Sequence, residues 1–253
     1  MSETYETHAK GIRILPGEWR PHYPWEHIAW VSPPWPSQDY IWLDFPEAVF
    51  TGQGLLFLSH VNPPIPTVFT DQPKVEWFQI TNGIAFDRTL PNGVSFGGSL
   101  VKKGETEVGL ELHIQNGSGK PLEKITLQTC AFLRAIKEFA AYTMDNKFVH
   151  VPDKGWIPYL EAKNLTEEKG TVKLGWRSGK AVADLPAMAT RSDAAERYVV
   201  MTWYGSTLSL VGNYRHPCMH ADPKFKDLTA GEGASISGAL LFHEGPLDQF
   251  KLI

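Results

Sequence analysis

Apolar and polar residues alternate with a period of two along much of the chain. In "TEVGLELHIQN" the apolar positions are Val108, Leu110, Leu112 and Ile114. This period is typical of a β-strand with one buried face. Similar short runs are "DYIWLDF", "GLLFLSHV", "VEWFQI", "KITLQTCAFL", "KFVHV", "RYVVMTWY", "STLSLV" and "SISGALLF", separated by turn sequences such as "PNG" and "TAGEG". Many short strands with turns at this spacing predict an all-β fold.

Helix-forming sequence is sparse. Residues 131–143, "AFLRAIKEFAAYT", are the one segment with the composition of a helix, and part of it also suits a strand. We find no internal repeat and no linker, and the proline-dense segments "SPPWPSQ" and "NPPIPT" are typical of rigid loops. The sequence therefore predicts a single domain over residues 1–253, a large antiparallel β-sandwich with little helix.

Composition narrows the possible partners and the compartment. The 253 residues carry a formal net charge of -4, which argues against a nucleic-acid partner. No apolar stretch suggests a membrane span, and the first residues do not resemble a secretion signal. With only Cys130 and Cys218 in the chain, a disulfide scaffold is not expected. We therefore expect a cytoplasmic protein whose two cysteines are reduced and apart, without a nucleic-acid or membrane partner.

The segment "RHPCMHADP", residues 215–223, concentrates several chemically active side chains. If it is extended, four of them project to one side: His216, Cys218, His220 and Asp222. Two prolines, however, favour an irregular loop at least as strongly. Three interpretations remain open: a structural loop, a loop that binds substrate or transfers protons, and a metal site.

Other histidines and one arginine are further candidates for chemistry. His60 and His150 each end a predicted strand, and His113 lies on the polar face of its strand. Imidazoles that converge on one cleft suit acid/base catalysis at neutral pH, whereas any one alone is more simply a structural residue. Arg134 is suited to hold a carboxylate or a sugar hydroxyl, and equally suited to an ion pair with Glu138.

Aromatic and acidic residues add two expectations. Most of the nine tryptophans are expected in the core, with Trp35 and Trp42 the better candidates for an exposed cleft wall. Asp39 and Asp44 have opposite strand parity, so they should not face each other as a glycosidase pair would. The sequence motifs of serine hydrolases, P-loop proteins, Rossmann folds, EF-hands and zincins are all missing from the chain.

Two stretches resemble the galactose-mutarotase-like supersandwich. These are residues 93–133, with a strand, an Asn-containing hairpin and a returning strand, and residues 216–242, "HPCMHADPKFKDLTAGEGASISGALLF". The second stretch follows that superfamily's order of a cysteine, an acidic residue before proline, and a Leu-x-x-Gly-Glu segment. Here these positions are Cys218, Asp222, Pro223, Leu228, Gly231 and Glu232. The resemblance covers about two-thirds of the chain and implies a sandwich with a sugar site on a concave sheet face.

These observations together favour acid/base chemistry of the epimerase, mutarotase or lyase kind on a sugar or sugar acid. The expected catalytic residues are His60, His150, His220 and Arg134, and the expected substrate-binding residues are Trp35, Trp42, His113, His216 and Asp222. The ligand is a small molecule or an oligosaccharide, no cofactor or metal is required, and the oligomeric state is open. Two alternatives stand beside this hypothesis: a non-catalytic carbohydrate-binding module, and a metal-dependent sandwich enzyme that uses His216 and His220.

Overall fold

Seventeen strands form the framework of the part of the chain that the structure describes. The computed structural model describes residues 11–19, 25–60, 66–70, 72–141, 143–164, 173–175, 183–212 and 216–252. The strands in chain order are β1 (Ile14–Gly17), β2 (Ile28–Val31), β3 (Ile41–Thr51), β4 (Gly54–Leu58), β5 (Phe78–Ile80), β6 (Gly83–Thr89), β7 (Val94–Lys102), β8 (Glu107–Asn116), β9 (Thr126–Phe132), β10 (Lys147–Val151), β11 (Gly155–Pro158), β12 (Lys173–Gly175), β13 (Ala187–Arg191), β14 (Arg197–Thr202), β15 (Thr207–Gly212), β16 (Cys218–Pro223) and β17 (Gly233–Glu244).

The strands form two antiparallel sheets. The first has eight strands in the order β1-β2-β3-β9-β16-β15-β12, with β4 also paired to β3. The second has nine strands in the order β11-β10-β13-β14-β17-β8-β7-β6-β5. The prediction of a large antiparallel β-sandwich with little helix is confirmed.

The alternating pattern explains how the sheets pack. On β8 the four predicted apolar residues are buried in the main core, and their neighbours are at least partly exposed. The eight-stranded sheet contributes Phe45, whose ring stacks 5.8 Å from that of Trp203. Opposite it on β7 is Gly98, where a Cβ atom would lie 2.6 Å from Phe45 Cε1. A glycine at this position therefore allows the two sheets to approach closely.

A buried polar pair lies within this core. The His27 ring stacks on Phe86 with 3.9 Å between ring centroids, and Arg88 Nε donates a hydrogen bond of 3.3 Å to His27 Nε2. Arg88 also donates to the backbone oxygens of Trp25 and Pro73. Burial, with a smaller contribution from the Arg88 charge, lowers the pKa of His27 well below its usual range. His27 is therefore a neutral acceptor that helps Arg88 hold these segments together.

The sequence predicts little helix, with residues 131–143 as the segment of helix-forming composition. That segment is part strand, the alternative that the sequence left open: Ala131 and Phe132 end β9, and in the described residues up to 141 a 3-10 turn at Lys137–Phe139 follows. Both residues of β9 pair with strands on either side, and this pairing overrides local helix propensity. Among the described residues the α-helix is α1 (Tyr159–Asn164). None of the helices in the described ranges is long and apolar enough to cross a membrane.

The buried neutral histidine predicts a specific acid sensitivity. Below about pH 6.5 the unfolded chain takes up a proton at His27 that the folded chain excludes, so stability falls as the pH falls. His27→Gln keeps an acceptor for Arg88 but does not titrate. In urea unfolding below that pH, we expect the wild type to lose about 1.4 kcal/mol per pH unit more than His27→Gln. Parallel pH profiles for the two proteins would contradict a neutral, buried His27.

Candidate functional site

The outward face of the eight-stranded sheet carries a row of chemically active side chains. Asp44 on β3 lies opposite Cys130 on β9, which lies opposite His220 on β16. The neighbouring row is Trp42, Phe132 and Cys218. The residues that separate the two rows along each strand point to the other side of the sheet and belong to the main core. Cys130, Phe132 and Cys218 form a separate cluster with Trp19 and Trp42. Strand alternation therefore gives these three strands a core face and an outward face, here called the functional face because it carries the candidate site.

Segment 215–223 is a strand over most of its length, so the interpretation as an irregular loop is wrong there. Cys218–Pro223 forms β16, paired to β15 on one side and to β9 on the other. The predicted alternation is confirmed from 218 onward, because Met219 and Ala221 enter the core and Cys218 and His220 face outward. All six residues of the strand are buried.

An irregularity in β3 brings Glu47 to the same face. Asp44 pairs with Cys130 and Ala48 with Gln128, so three residues of β3 stand opposite one residue of β9. Pro46 lies within this bulge, as expected for a proline inside a sheet. The Glu47 carboxylate accepts a hydrogen bond from His60, with 2.8 Å between Nε2 and Oε1. Its other oxygen, Oε2, lies 3.6 Å from His220 Nδ1.

Two other carboxylates are fixed by hydroxyl and backbone donors. Ser59 Oγ donates to Asp44 Oδ2 over 2.7 Å. Asp222 accepts from Ser209 Oγ at 3.3 Å and from the backbone N–H of Thr129 at 3.4 Å. Asp222 Oδ1 also lies 3.7 Å from His220 Nδ1. The His220 ring therefore has two carboxylates within ion-pair distance of the same nitrogen.

The thiols and the imidazole perturb each other. Cys218 Sγ lies 3.6 Å from His220 Nε2. A hydrogen bond from Cys130, helped by His220 and opposed by burial, holds the pKa of Cys218 well below its usual range. The same hydrogen bond and burial raise the pKa of Cys130. For His220, burial is the largest effect and lowers the pKa, but Asp222, Cys218 and Glu47 together outweigh it and raise that pKa. Cys218 and His220 therefore favour each other's charged form.

A buried lysine lies near this group. Lys147 on β10 donates from Nζ to the Thr143 carbonyl oxygen at 3.1 Å and to Asn146 Oδ1 at 3.2 Å. Burial lowers the pKa of Lys147 to about 8, partly offset by the Cys218 charge. Lys147 is therefore a buried amine close enough to Cys218 for their charges to interact.

The structure brings together only some of the predicted site residues. His60, His220 and Asp222 are linked through Glu47 and the contacts of His220, and Trp42 borders them on β3. His216 lies just before β16, exposed, with its ring centroid 6.3 Å from that of Phe132.

The remaining predicted residues lie elsewhere. His150 and His113 are on the nine-stranded sheet, each with its own carboxylate: Asp184 at 2.6 Å and Asp87 at 2.8 Å. Both histidines therefore lie on a different sheet from His220. Arg134 is exposed in the turn after β9.

The expectation that Trp35 forms an exposed cleft wall is wrong. Only 5% of its surface is exposed, and its ring packs against Phe139 and Phe242 under the Arg197 guanidinium. Trp35 lies in the loop before β3, so strand alternation does not predict which way its side chain points. The orientation depends on packing against the core.

Sequence reasoning missed Cys130, Asp44 and Glu47 as members of the site. Cys130 and Cys218 were expected to lie apart, but they lie on adjacent strands, and both are free thiols. Regular alternation from Asp44 predicts that Glu47 lies on the opposite face of the sheet. The bulge inserts extra residues, so Glu47 lies on the same face as Asp44 instead. Pro46 was the available signal, since a proline within a strand pattern marks such a bulge.

Comparisons with known proteins concern the fold. No protein-family model and no curated protein matches the chain. An aldose epimerase homologue from C. elegans aligns with 93% of this chain and 99% of its own, with 10% identity and a TM-score of 0.47. A candidate aldose 1-epimerase from Escherichia coli K12 aligns with 92% of this chain and 100% of its own, with 6% identity and a TM-score of 0.49. A polysaccharide lyase aligns with 95% of this chain and 34% of its own, with 10% identity and a TM-score of 0.36.

The two aldose epimerase structures align over more than 90% of the chain, but at no more than 10% identity and with TM-scores below 0.5. At these values of identity and TM-score the likeness carries no argument about activity. The chemistry must therefore be argued from the residues of the site.

The hydrogen bonds of Asp222 predict a large stability effect. Asp222→Ala leaves the Thr129 N–H and the Ser209 hydroxyl without their buried acceptor, so we expect the free energy of unfolding to fall by about 2–3 kcal/mol. Urea unfolding measures this change. Asp248→Ala, at an exposed position, is the matched control and should stay within about 0.5 kcal/mol of the wild type. Equal losses for both variants would contradict a structural role for the Asp222 carboxylate.

Proposed function

We propose that the protein performs acid/base chemistry on a carbohydrate ligand, with His60 as the group that transfers the proton. The observation that carries this proposal is the hydrogen bond of 2.8 Å between His60 Nε2 and Glu47 Oε1 at a partly exposed position. The side chains of His60 and Glu47 are 22% and 17% exposed, so a ligand can reach them. His220, in contrast, is buried and has a side chain only 10% exposed.

The Glu47 carboxylate determines which His60 nitrogen is available. A carboxylate can only accept, so Nε2 carries the hydrogen and donates it. The lone pair of a neutral His60 is then on Nδ1, which can take a proton from a ligand hydroxyl or from a carbon next to a carbonyl. Glu47 stabilises the imidazolium that forms, and the same nitrogen returns the proton in the second half of the reaction.

Neighbouring side chains support a ligand rich in hydroxyl groups. Trp42 lies two residues before Asp44 on the same face of β3 and is partly exposed. An aromatic face beside hydrogen-bonding carboxylates and imidazoles suits a sugar ring, which has an apolar face and a polar edge. The proposal assigns no role to Arg134, which is exposed in the turn after β9.

Turnover of sugars by the purified protein tests this function. Freshly dissolved hexose anomers are followed by polarimetry, and uronic-acid polysaccharides by the ultraviolet absorbance of an unsaturated product. We expect His60→Gln to lower kcat/KM for the accepted substrate by about 10²–10⁴-fold, the usual contribution of a general acid/base. Glu47→Gln should lower kcat/KM by a smaller factor, because an amide fixes the tautomer less strongly.

A matched control separates catalysis from folding. His243→Gln removes another partly exposed histidine, one whose Nε2 lies 3.0 Å from the Pro246 carbonyl oxygen, and should keep wild-type turnover. Urea unfolding of each variant confirms that it is folded. Sugar binding that quenches tryptophan fluorescence without any turnover would instead establish a non-catalytic carbohydrate-binding module and overturn the acid/base proposal.

A further inference from the structure

Cys130, Cys218 and His220 form a cluster that the acid/base proposal does not use. Their surfaces are 5%, 3% and 8% exposed, and one ligand atom from each lies within 4.8 Å of the others. Thiolate sulfur and imidazole nitrogen are the donors that zinc and similar divalent ions prefer in proteins. We propose that Cys130 Sγ, Cys218 Sγ and His220 Nε2 bind one divalent transition-metal ion of the zinc class.

The spacing of these atoms suits tetrahedral coordination. Zinc–sulfur bonds of about 2.3 Å and zinc–nitrogen bonds of about 2.0–2.1 Å place neighbouring ligand atoms about 3.5–3.8 Å apart. Cys218 Sγ lies 3.6 Å from His220 Nε2. All three residues belong to strands paired on both sides, so the backbone already holds the donors close to the required geometry. Small side-chain rotations complete the site.

The same pairing argues against a disulfide. Cys130 lies directly opposite His220, so Cys218, two residues earlier on β16, is its diagonal neighbour. Diagonal residues of antiparallel strands are about 7–8 Å apart between Cα atoms, beyond the range of a relaxed disulfide. A metal ion bridges this longer separation, because each thiolate needs to reach only the ion.

The second nitrogen of His220 has the surroundings of a metal-bound histidine. Nδ1 lies 3.6 Å from Glu47 Oε2 and 3.7 Å from Asp222 Oδ1. Histidines that bind a metal through one nitrogen commonly direct the other N–H at a carboxylate, which fixes the tautomer and orients the ring. Asp222 is itself anchored by Ser209 and by the Thr129 backbone. The required orientation of His220 is therefore built into the sheet.

A second group of potential ligands is a weaker candidate. Asp44, Glu47 and His60 also lie within 4.8 Å of one another. However, His60 Nε2 is hydrogen-bonded to Glu47, and Asp44 accepts from Ser59. These contacts occupy one nitrogen of the histidine and one oxygen of each carboxylate, and this group contains no thiolate, the donor that most favours an ion of the zinc class. The sulfur-containing cluster is thus the preferred site, and three protein ligands leave a fourth position for water or a ligand oxygen.

Cobalt binding to the full-length chain tests the site without an activity assay. The protein is reduced, treated with a chelator, and titrated anaerobically with Co²⁺. We expect saturation at one equivalent, with a sulfur-to-cobalt charge-transfer band and tetrahedral d–d bands, and displacement of both by Zn²⁺. This spectrum belongs to the wild type, so the result does not depend on whether a variant folds.

Variants assign the ligands. Cys130→Ser and Cys218→Ser should each weaken Co²⁺ binding by about 100-fold or more and reduce the charge-transfer band, and Asp222→Asn should weaken binding by about 10–100-fold. His243→Gln is the control and should bind as the wild type does. Zn²⁺ should raise the unfolding temperature of the wild type and of this control but not of Cys218→Ser.

Three results would overturn the metal proposal: no charge-transfer band although both thiols are free, a band that Cys218→Ser leaves unchanged, or a mass that shows the two cysteines joined. None of these results depends on turnover. A failure of the metal site is therefore distinguishable from a failure of the acid/base proposal, since His60 and Glu47 are not among the three ligands.

Discussion

Strand pairing of β3, β9 and β16 is the constraint on which the rest of the structure depends. These three interior strands place one set of alternate residues in the core between the sheets and the other set on the functional face. A slip of one residue in β16 would move Met219 out of the core and His220 into it. The burial of apolar side chains therefore also fixes the register of the functional side chains. Stability and the site geometry depend on the same backbone hydrogen bonds.

Burial of so many polar groups is costly unless each one is compensated. Asp44 and Asp222 are almost fully buried, at 1% and 4% exposure, and a bare carboxylate in such a position would be strongly destabilising. The sheet supplies their donors from Ser59, Ser209 and the Thr129 backbone. The imidazole of His220 adds a further polar group to this buried set, with Nδ1 3.6 Å from Glu47 Oε2 and 3.7 Å from Asp222 Oδ1.

The sequence predicts the features of this structure that depend on residues close together in the chain. It does not predict the features that depend on contacts between distant segments. The strand character of β8 and the alternation of residues 218–222 are local, so the period of two reveals both. The conformation of Ala131 and Phe132 depends on pairing with two distant strands, which overrides the helix propensity of the segment they begin. Trp35 likewise takes its position from core residues far away in the sequence.

The site itself is predictable only in part. His60, His220 and Asp222 were expected from residue type and strand position, and the structure brings these three together. Glu47, which joins them, was not expected, because the bulge at Pro46 breaks the alternation on which the prediction relied. Cys130 and Cys218 lie close together because β9 and β16 are neighbours in the strand order of the sheet. That order is set by packing between distant segments, which a single sequence does not display.

Glu47 connects the two proposed activities of this face. One oxygen accepts from His60 Nε2, and the other lies 3.6 Å from His220 Nδ1. A metal ion on His220 Nε2 requires the hydrogen of that ring to be on Nδ1, directed at Glu47 and Asp222. The hydrogen bond from His60 requires its own hydrogen on Nε2, which leaves Nδ1 free to act on a ligand. A single carboxylate thus contacts both imidazoles, and the bulge that positions it is the feature that joins the proposed metal ligands to the proposed acid/base group.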